Sequence, residues 1–364
     1  MIFFVVNISK DSILFLPNIS NCFTMSKYFI QTLFILTISA TFAVAQDIHF
    51  SQFYTDAIRL QPAATGNFAG DYRAGLNAKS QWETVAAPYR TISAFADFGL
   101  LKRQKRKSGA DWFGVGFNVL HDYAGDGNLS MTEVRGSAAF HQSFTPQFYV
   151  SLGAAAAYTQ RSIDFDKLLF GSQWNDIGFD NSIVSQENFS GDRANYFDVS
   201  GGAMFNYHQN GIFDVYGSFS ALHINRPKFS FFGSEDERLG IRYVANVGGS
   251  VRVHQFSIEP ALYVSRQKRA SELVLGSNVA WVWNDGNRYK AATKLYVGTW
   301  YRYSDAVVLL GGVAFRSYRF LVSYDINVSA LRVASQRRGG FEVSLVHVGG
   351  FGKEASVEIY CPRF

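Results

Sequence analysis

The sequence predicts an all-β fold, an antiparallel transmembrane outer-membrane β-barrel of about 14 strands. Three observations predict it: long segments that alternate apolar and polar residues, connections that are alternately short and long, and an export signal ahead of them. Composition agrees. Aromatic residues make up 16% of the chain and charged residues 17%, the latter below the usual quarter. With 32 glycines and only 7 prolines, the chain suits long strands better than disorder. A mean hydropathy of −0.02 excludes a bundle of membrane-spanning helices. It does not exclude a barrel, whose alternating strands average out.

The export signal comes first. Residues 25–45 read MSKYFIQTLFILTISATFAVA. Lys27 supplies the positive start, Phe29 to Ile38 an apolar stretch too short to span a bilayer, and Ala43-Val44-Ala45 a small-x-small cleavage site. This is the pattern of a secretory signal peptide. Cleavage is expected between Ala45 and Gln46, and Met25 reads as the better start, which makes residues 1–24 an upstream extension. The expected organisation is therefore 1–45 removed, 46–70 an N-terminal periplasmic or plug segment, 71–350 the barrel and 351–364 a last strand or periplasmic tail. The formal charge of +5 becomes +4 when Lys10, Lys27 and Asp11 are lost. Most basic residues are scattered along strands, so nucleic acid is not an expected partner. Cys361 is then the lone cysteine, which leaves no disulfide framework.

After residue 45 no apolar run of helix-spanning length occurs. Strands are expected near 71–82, 89–100, 112–121, 129–143, 147–160, 195–207, 212–224, 241–253, 255–265, 272–283, 289–302, 306–315, 318–329 and 340–349. In the first, Tyr72, Ala74, Leu76 and Ala78 share one face, and Arg73, Gly75, Asn77 and Lys79 the other. Arg73 and Lys79 should face the lumen, because a charge on the lipid face costs about 2–4 kcal/mol at mid-bilayer. With the N-terminus periplasmic, the inner turns at 145–146, 209–211, 254 and 284–287 are short. The outer connections at 161–194, 225–240, 266–271 and 330–339 are longer, as in outer-membrane barrels. Trp82 and Trp300-Tyr301 fall at outer strand ends and Trp112, Trp281 and Trp283 at inner ends, where two aromatic girdles are expected.

Candidate chemistry is sparse. Gly311-Gly312 and Gly349-Gly350 lie in strands, not in the strand–loop–helix setting of a phosphate cradle. The histidines show no metal-ligand spacing, so no metal, cofactor or catalytic residue is expected. His121-Asp122 is the pair to test for lipid hydrolysis, but strand neighbours point to opposite faces and would not orient one another. The basic run from Lys102 to Lys107 reads as a solvated periplasmic turn, with contact to an acidic partner as the second reading.

Several separated elements resemble the PorP/SprF family. They are the QD-xx-FSQ start with Phe50, Ser51 and Gln52, then the Gln61-Pro62 to Gly66 element, in which Gln61 stands where the family usually has Asn. They continue with Ser80-Gln81-Trp82 and Pro88, and Ser323-Tyr324-Asp325. The last are Gly340 and Glu342 within GGFEVSL, and the terminal Cys361-Pro362-Arg363-Phe364. These residues are the candidate partner contacts. The resemblance covers essentially all of 46–364. It implies an outer-membrane component of the type IX secretion and gliding machinery of Bacteroidota that helps secretion or surface anchoring of partner proteins. The implied partners are outer-membrane lipid, other secretion or gliding proteins including periplasmic components, and a secreted adhesin-like client. A general solute channel and an outer-membrane lipid-modifying enzyme are the alternatives. N-terminal sequencing of the mature protein should begin at Gln46; a start far from it would refute the expected cleavage.

Overall fold

The computed structural model describes residues 47–351, apart from 84–87, 103–110, 126, 181, 186, 188–190, 210–211, 232–236, 285–292 and 334. The expected export signal, most of the basic run and Cys361, Pro362, Arg363 and Phe364 lie outside the described residues.

Fourteen antiparallel strands form one closed barrel. In chain order they are β1 (Tyr72–Gln81), β2 (Tyr89–Leu100), β3 (Trp112–Ala124), β4 (Leu129–Ser143), β5 (Phe148–Ser162), β6 (Arg193–Gln209) and β7 (Phe213–Leu222). The second half comprises β8 (Arg242–Val253), β9 (Phe256–Gln267), β10 (Ala270–Asn284), β11 (Thr293–Arg302), β12 (Ala306–Phe315), β13 (Tyr318–Asn327) and β14 (Arg338–Gly349). Each strand pairs with its sequence neighbours, and β1 closes on β14 with Tyr72 opposite Gly349 and Gln81 opposite Gly340. Closure leaves no open sheet edge, the condition for strands to cross lipid.

The alternation read from the sequence sets the two faces. Leu76, Ile92, Phe98, Phe113 and Phe117 lie exposed on the outer surface, while Arg73, Asn77, Lys79, Ser93, Asp97 and Asn118 are buried inside. One rim carries the long connections 163–192, 223–241 and 328–337. The other carries shorter turns, such as His254-Gln255 and Arg316-Ser317, whose first residues adopt left-handed φ values of 54° and 56°. The 266–271 segment differs from the expected outer loop. Gln267 pairs with Ala270, so only Lys268 and Arg269 turn the chain, with Lys268 at φ 50°. The charges there read as loop, but Arg266 and Gln267 continue the strand alternation, one outward and one inward.

The core lies inside the barrel. Residues 50–68 are all buried. They comprise a coil, one helical turn α1 (Ala57–Leu60) and a 3-10 turn Pro62–Ala64, and they pass through the lumen from the long-loop rim to the short-turn rim. Phe53 packs on Tyr263 at 5.0 Å and edge-on to Trp300 at 5.5 Å, and Tyr54 lies 5.3 Å from Trp300. Leu60, Ala63 and Ala64 join Met204, Val244 and Leu321 in the same cluster, while Ile58 and Phe68 pack with Phe95, Val346 and Val348.

Two glycines let the wall touch this plug. A Cβ on Gly114 would lie 1.9 Å from the Thr65 carbonyl oxygen, and one on Gly153 2.4 Å from the Ala63 nitrogen. Neither contact leaves room for a side chain, and overpacking of this kind costs about 1–3 kcal/mol or more. Gly114→Val is expected to close its barrel but leave the plug unseated. Trypsin should then cut at Arg59, which is 7% exposed in the native chain; equal resistance in both proteins would refute the seating role.

Candidate functional site

The site is the contact between the plug and the inward face of the wall. It begins with a requirement of backbone chemistry. A coil threaded through a closed lumen carries N–H and C=O groups that no strand ladder satisfies, so wall side chains must supply partners.

At the long-loop rim Glu342 does so as a charged acceptor. Its carboxylate takes the backbone N–H groups of Ser51 at 2.7 Å and Gln52 at 3.0 Å. The Gln52 side chain donates to Ser323 Oγ at 3.0 Å and accepts from Ser344 Oγ at 2.8 Å. Ser51 Oγ donates to Asp325 at 2.7 Å, and Asp325 also receives the Arg302 guanidinium at 2.8 Å. Lys79 Nζ donates to the His49 carbonyl at 3.1 Å. Apart from His49, these residues are all nearly solvent-free, where charge-assisted hydrogen bonds are strong and an uncompensated charge is costly.

Nearer the start of the chain, Asp47 meets His223, in the β7–β8 connection, at 2.6 Å; the other imidazole nitrogen lies 2.9 Å from Asp198 of β6. Arg242 stands 3.9 Å from Asp47 and 3.6 Å from Glu272. Burial alone would lower the His223 pKa, but its hydrogen bonds to Asp198 and Asp47 and their charges outweigh burial and raise it to about 9. Burial likewise opposes the Asp47 charge, yet the hydrogen bond and charge of His223, with Arg242, hold that carboxyl well below the usual carboxylate range. Asp56, deeper in the plug, accepts from Ser93 at 2.6 Å and Asn118 at 2.7 Å.

At the short-turn rim the plug turns toward β1. Gln61 caps the 3-10 turn through the Ala63 N–H and donates to the Ala203 carbonyl at 3.1 Å. His141 lies 2.8 Å from the Thr65 carbonyl through Nε2. A carbonyl can only accept, so Nε2 donates and Nδ1 accepts the Ser151 hydroxyl at 2.6 Å. Gly66 N donates to Asp97 at 2.8 Å, and Arg73 holds the same carboxylate with two bonds of 2.9 Å. Lys102, the first residue of the basic run, donates to the Gly66 carbonyl at 3.0 Å and sits 4.6 Å from the centre of the Phe68 ring.

The structure thus joins one part of the sequence-selected residues and leaves another apart. Ser51, Gln52, Asp325 and Glu342 form one network although some 270 to 290 residues separate them in sequence. Phe50 is buried, with the Arg59 guanidinium 5.8 Å from its ring centre. Pro62 starts the 3-10 turn, and Gly66 adopts φ 74° against Gly114. Ser80, Gln81, Trp82, Pro88 and Gly340 belong instead to the long-loop rim. There the Ser80 hydroxyl donates to Glu83 at 2.7 Å, Trp82 N donates to the Gly339 carbonyl at 2.9 Å, and Trp82 packs edge-on to Tyr89 at 5.4 Å. His121 and Asp122 diverge. Asp122 is buried and accepts from Thr91, while His121 is exposed on the outer face beside Thr132.

Two girdle assignments need correction. Trp300 is 2% exposed and packs on the plug. Trp112 stacks on His141 at 4.6 Å and donates to the Gly66 carbonyl. Position along a strand suggested an interface, but phase decides which face a ring takes. Tyr301, one residue on from Trp300, is the ring that faces out. Sequence reasoning missed Asp198, His223 and Arg242, and gave no contact to Asp47, which is part of the QD start, or to Arg302. Inward phase and a charged side chain in the same strand were the available signal for Asp198, Arg242 and Arg302.

A family model described as type IX secretion system membrane protein PorP/SprF matches residues 43–347. The chain belongs to the PorP/SprF family. Its members are type IX secretion membrane proteins, and the closed antiparallel barrel of this one is of the outer-membrane type. No curated protein matches the chain. Among solved structures it is similar to a TodX monoaromatic hydrocarbon channel deletion mutant, at TM-score 0.51 and 9% identity over 82% of this chain and 94% of that one. The toluene transporter TbuX of Ralstonia pickettii matches at TM-score 0.45 and 14% identity over 80% and 92%. At such identities the first likeness shows the barrel fold alone.

The sign of the His223 shift fixes a pH window for this PorP/SprF-family protein. A histidine raised from 6.5 to about 9 stabilises the fold fully below 6.5, and that contribution is lost as pH rises through about 9. A shift of this size corresponds to on the order of 3 kcal/mol. Hydrogen exchange of residues 47–52, corrected for intrinsic rate, should accelerate above pH about 9. His223→Gln should show faster exchange already at neutral pH and little further pH response; an unchanged profile would remove the clasp.

Proposed function

We propose that this chain serves the type IX secretion and gliding machinery in the outer membrane, helping the secretion or surface anchoring of partner proteins such as adhesins. It does so as a non-enzymatic docking element and not as an open pore. The observation that carries this reading is the filled lumen. Residues 50–68 are buried along the barrel interior, tied to the wall at both rims by charged and backbone hydrogen bonds. A path for solute would require breaking several such bonds together, and removing one partner of a buried charged pair costs about 3–5 kcal/mol. What remains for interaction is the long-loop rim, the short-turn rim and the lipid-facing wall.

The export signal at 25–45 supports this placement, with the mature chain starting at Gln46. His121 and Asp122, on opposite faces of β3, cannot act as an acid–base pair, which supports the non-enzymatic reading.

Two measurements test the proposal. The purified barrel in planar bilayers should give only small, unsteady currents; large stable ones would instead favour a solute channel. Deleting residues 46–66 should leave a barrel in the membrane but impair secretion or display of the client protein. Normal display by the deletion variant would remove the plug from the docking function.

A further inference from the structure

Beneath the plug the barrel is not completely filled. A cavity of about 560 Å³, counting the part open to solvent, runs from Tyr149, His208 and Asp214 at the short-turn ends of β5, β6 and β7 up to Tyr54 and Trp300. That figure includes space open to solvent, and the enclosed part is much smaller.

Its lining has a definite chemistry. Tyr54, Tyr149, Tyr216 and Trp300 supply aromatic surface, and Glu259 and Asp214 supply two carboxylates. Asp214 pairs with His208 and accepts from Ser250 Oγ at 3.2 Å. Neither Lys nor Arg is among the lining residues. Aromatic faces together with carboxylates favour an organic cation over an anion or a neutral solute. A separate feature points to a second group on the ligand. Asn206, only 4% exposed, lines the cavity, and its Nδ2 has no hydrogen-bond partner while its Oδ1 accepts from Asn67 at 3.3 Å. A buried amide donor left unpaired costs about 1–3 kcal/mol, and a ligand carbonyl would relieve that cost.

We infer that this cavity is a recognition pocket for one basic residue of an extended peptide, presented at the short-turn rim by a protein partner. The lysine or arginine head would lie among the tyrosines toward Glu259, and a peptide carbonyl would accept from Asn206. The inference deepens the docking function proposed above and rests on it for the source of the peptide. The ligand chemistry rests on the cavity alone.

The test uses the full-length barrel in detergent and two probes, N-acetyl-arginine methylamide and its neutral citrulline counterpart, with binding followed by saturation-transfer NMR. The arginine probe should bind at least about tenfold more tightly, equivalent to about 1.4 kcal/mol. Glu259→Gln should abolish that preference, and Asn206→Leu should weaken both probes alike. Heat-modifiable gel mobility establishes that each variant is folded. Equal binding of the two probes to the native barrel, which needs no variant, would overturn the pocket, as would the absence of binding. Because the isolated barrel is measured without any secretion assay, a negative result overturns this site and leaves the docking function standing. Failure of client secretion to depend on the protein would overturn the docking function and leave the binding result intact.

Discussion

A wall of fourteen strands cannot fill its own interior. Barrels of about eight strands are narrow enough for inward side chains to meet, and those of sixteen or more leave an aqueous channel. This barrel lies between those limits, and its inward positions include Arg73, Asp97, Arg135, Asp198, Arg302 and Glu342, all nearly solvent-free. The threaded segment resolves both the volume and the charge. Its apolar side chains, Phe53, Tyr54, Ile58 and Leu60, occupy space, and its backbone amides occupy carboxylates.

The two ends of the plug are held by overlapping chemistry. At the short-turn rim the contacts are mainly to backbone: His141 to Thr65, Asp97 to Gly66, Gln61 to Ala203. These depend on close approach, which Gly114 and Gly153 permit. At the long-loop rim the contacts are charge pairs and charge-assisted bonds, with Glu342, Asp325, Arg302, Lys79 and Asp198 around residues 47–52. Both ends thus combine charged groups with backbone contacts, and the pairing of Asp47 with His223 adds a protonation-dependent hold at the long-loop rim.

Much of the wall was legible before the structure. Period-two alternation gave fourteen strands with the correct inward and outward sets, including Arg73 and Lys79. It worked because water-facing and lipid-facing chemistry differ so sharply that a register error is costly. The plug was less legible. Residues 46–70 carry no periodic pattern, and the groups that hold Ser51 and Gln52 lie at the far end of the chain. The resemblance selected Ser51, Gln52, Asp325 and Glu342 together, but only the fold shows that they touch. Trp112 and Trp300 were misread for a related reason: in a plugged barrel an inward ring near a strand end still has something to pack against.

The direction of the plug has a consequence for how the protein could respond to a partner. The chain enters the described fold at Asp47 by the long-loop rim, descends to Phe68, and only then begins β1. Asp47 is gripped by His223, which belongs to the connection between β7 and β8, and that connection continues to Leu239 at the same rim. A partner that displaces His223 would act directly on the first residues of the plug. Tyr54 lies between the two ends and also roofs the cavity beneath. Ser51 to Tyr54 thus join the charged contacts at the long-loop rim to the cavity at the other.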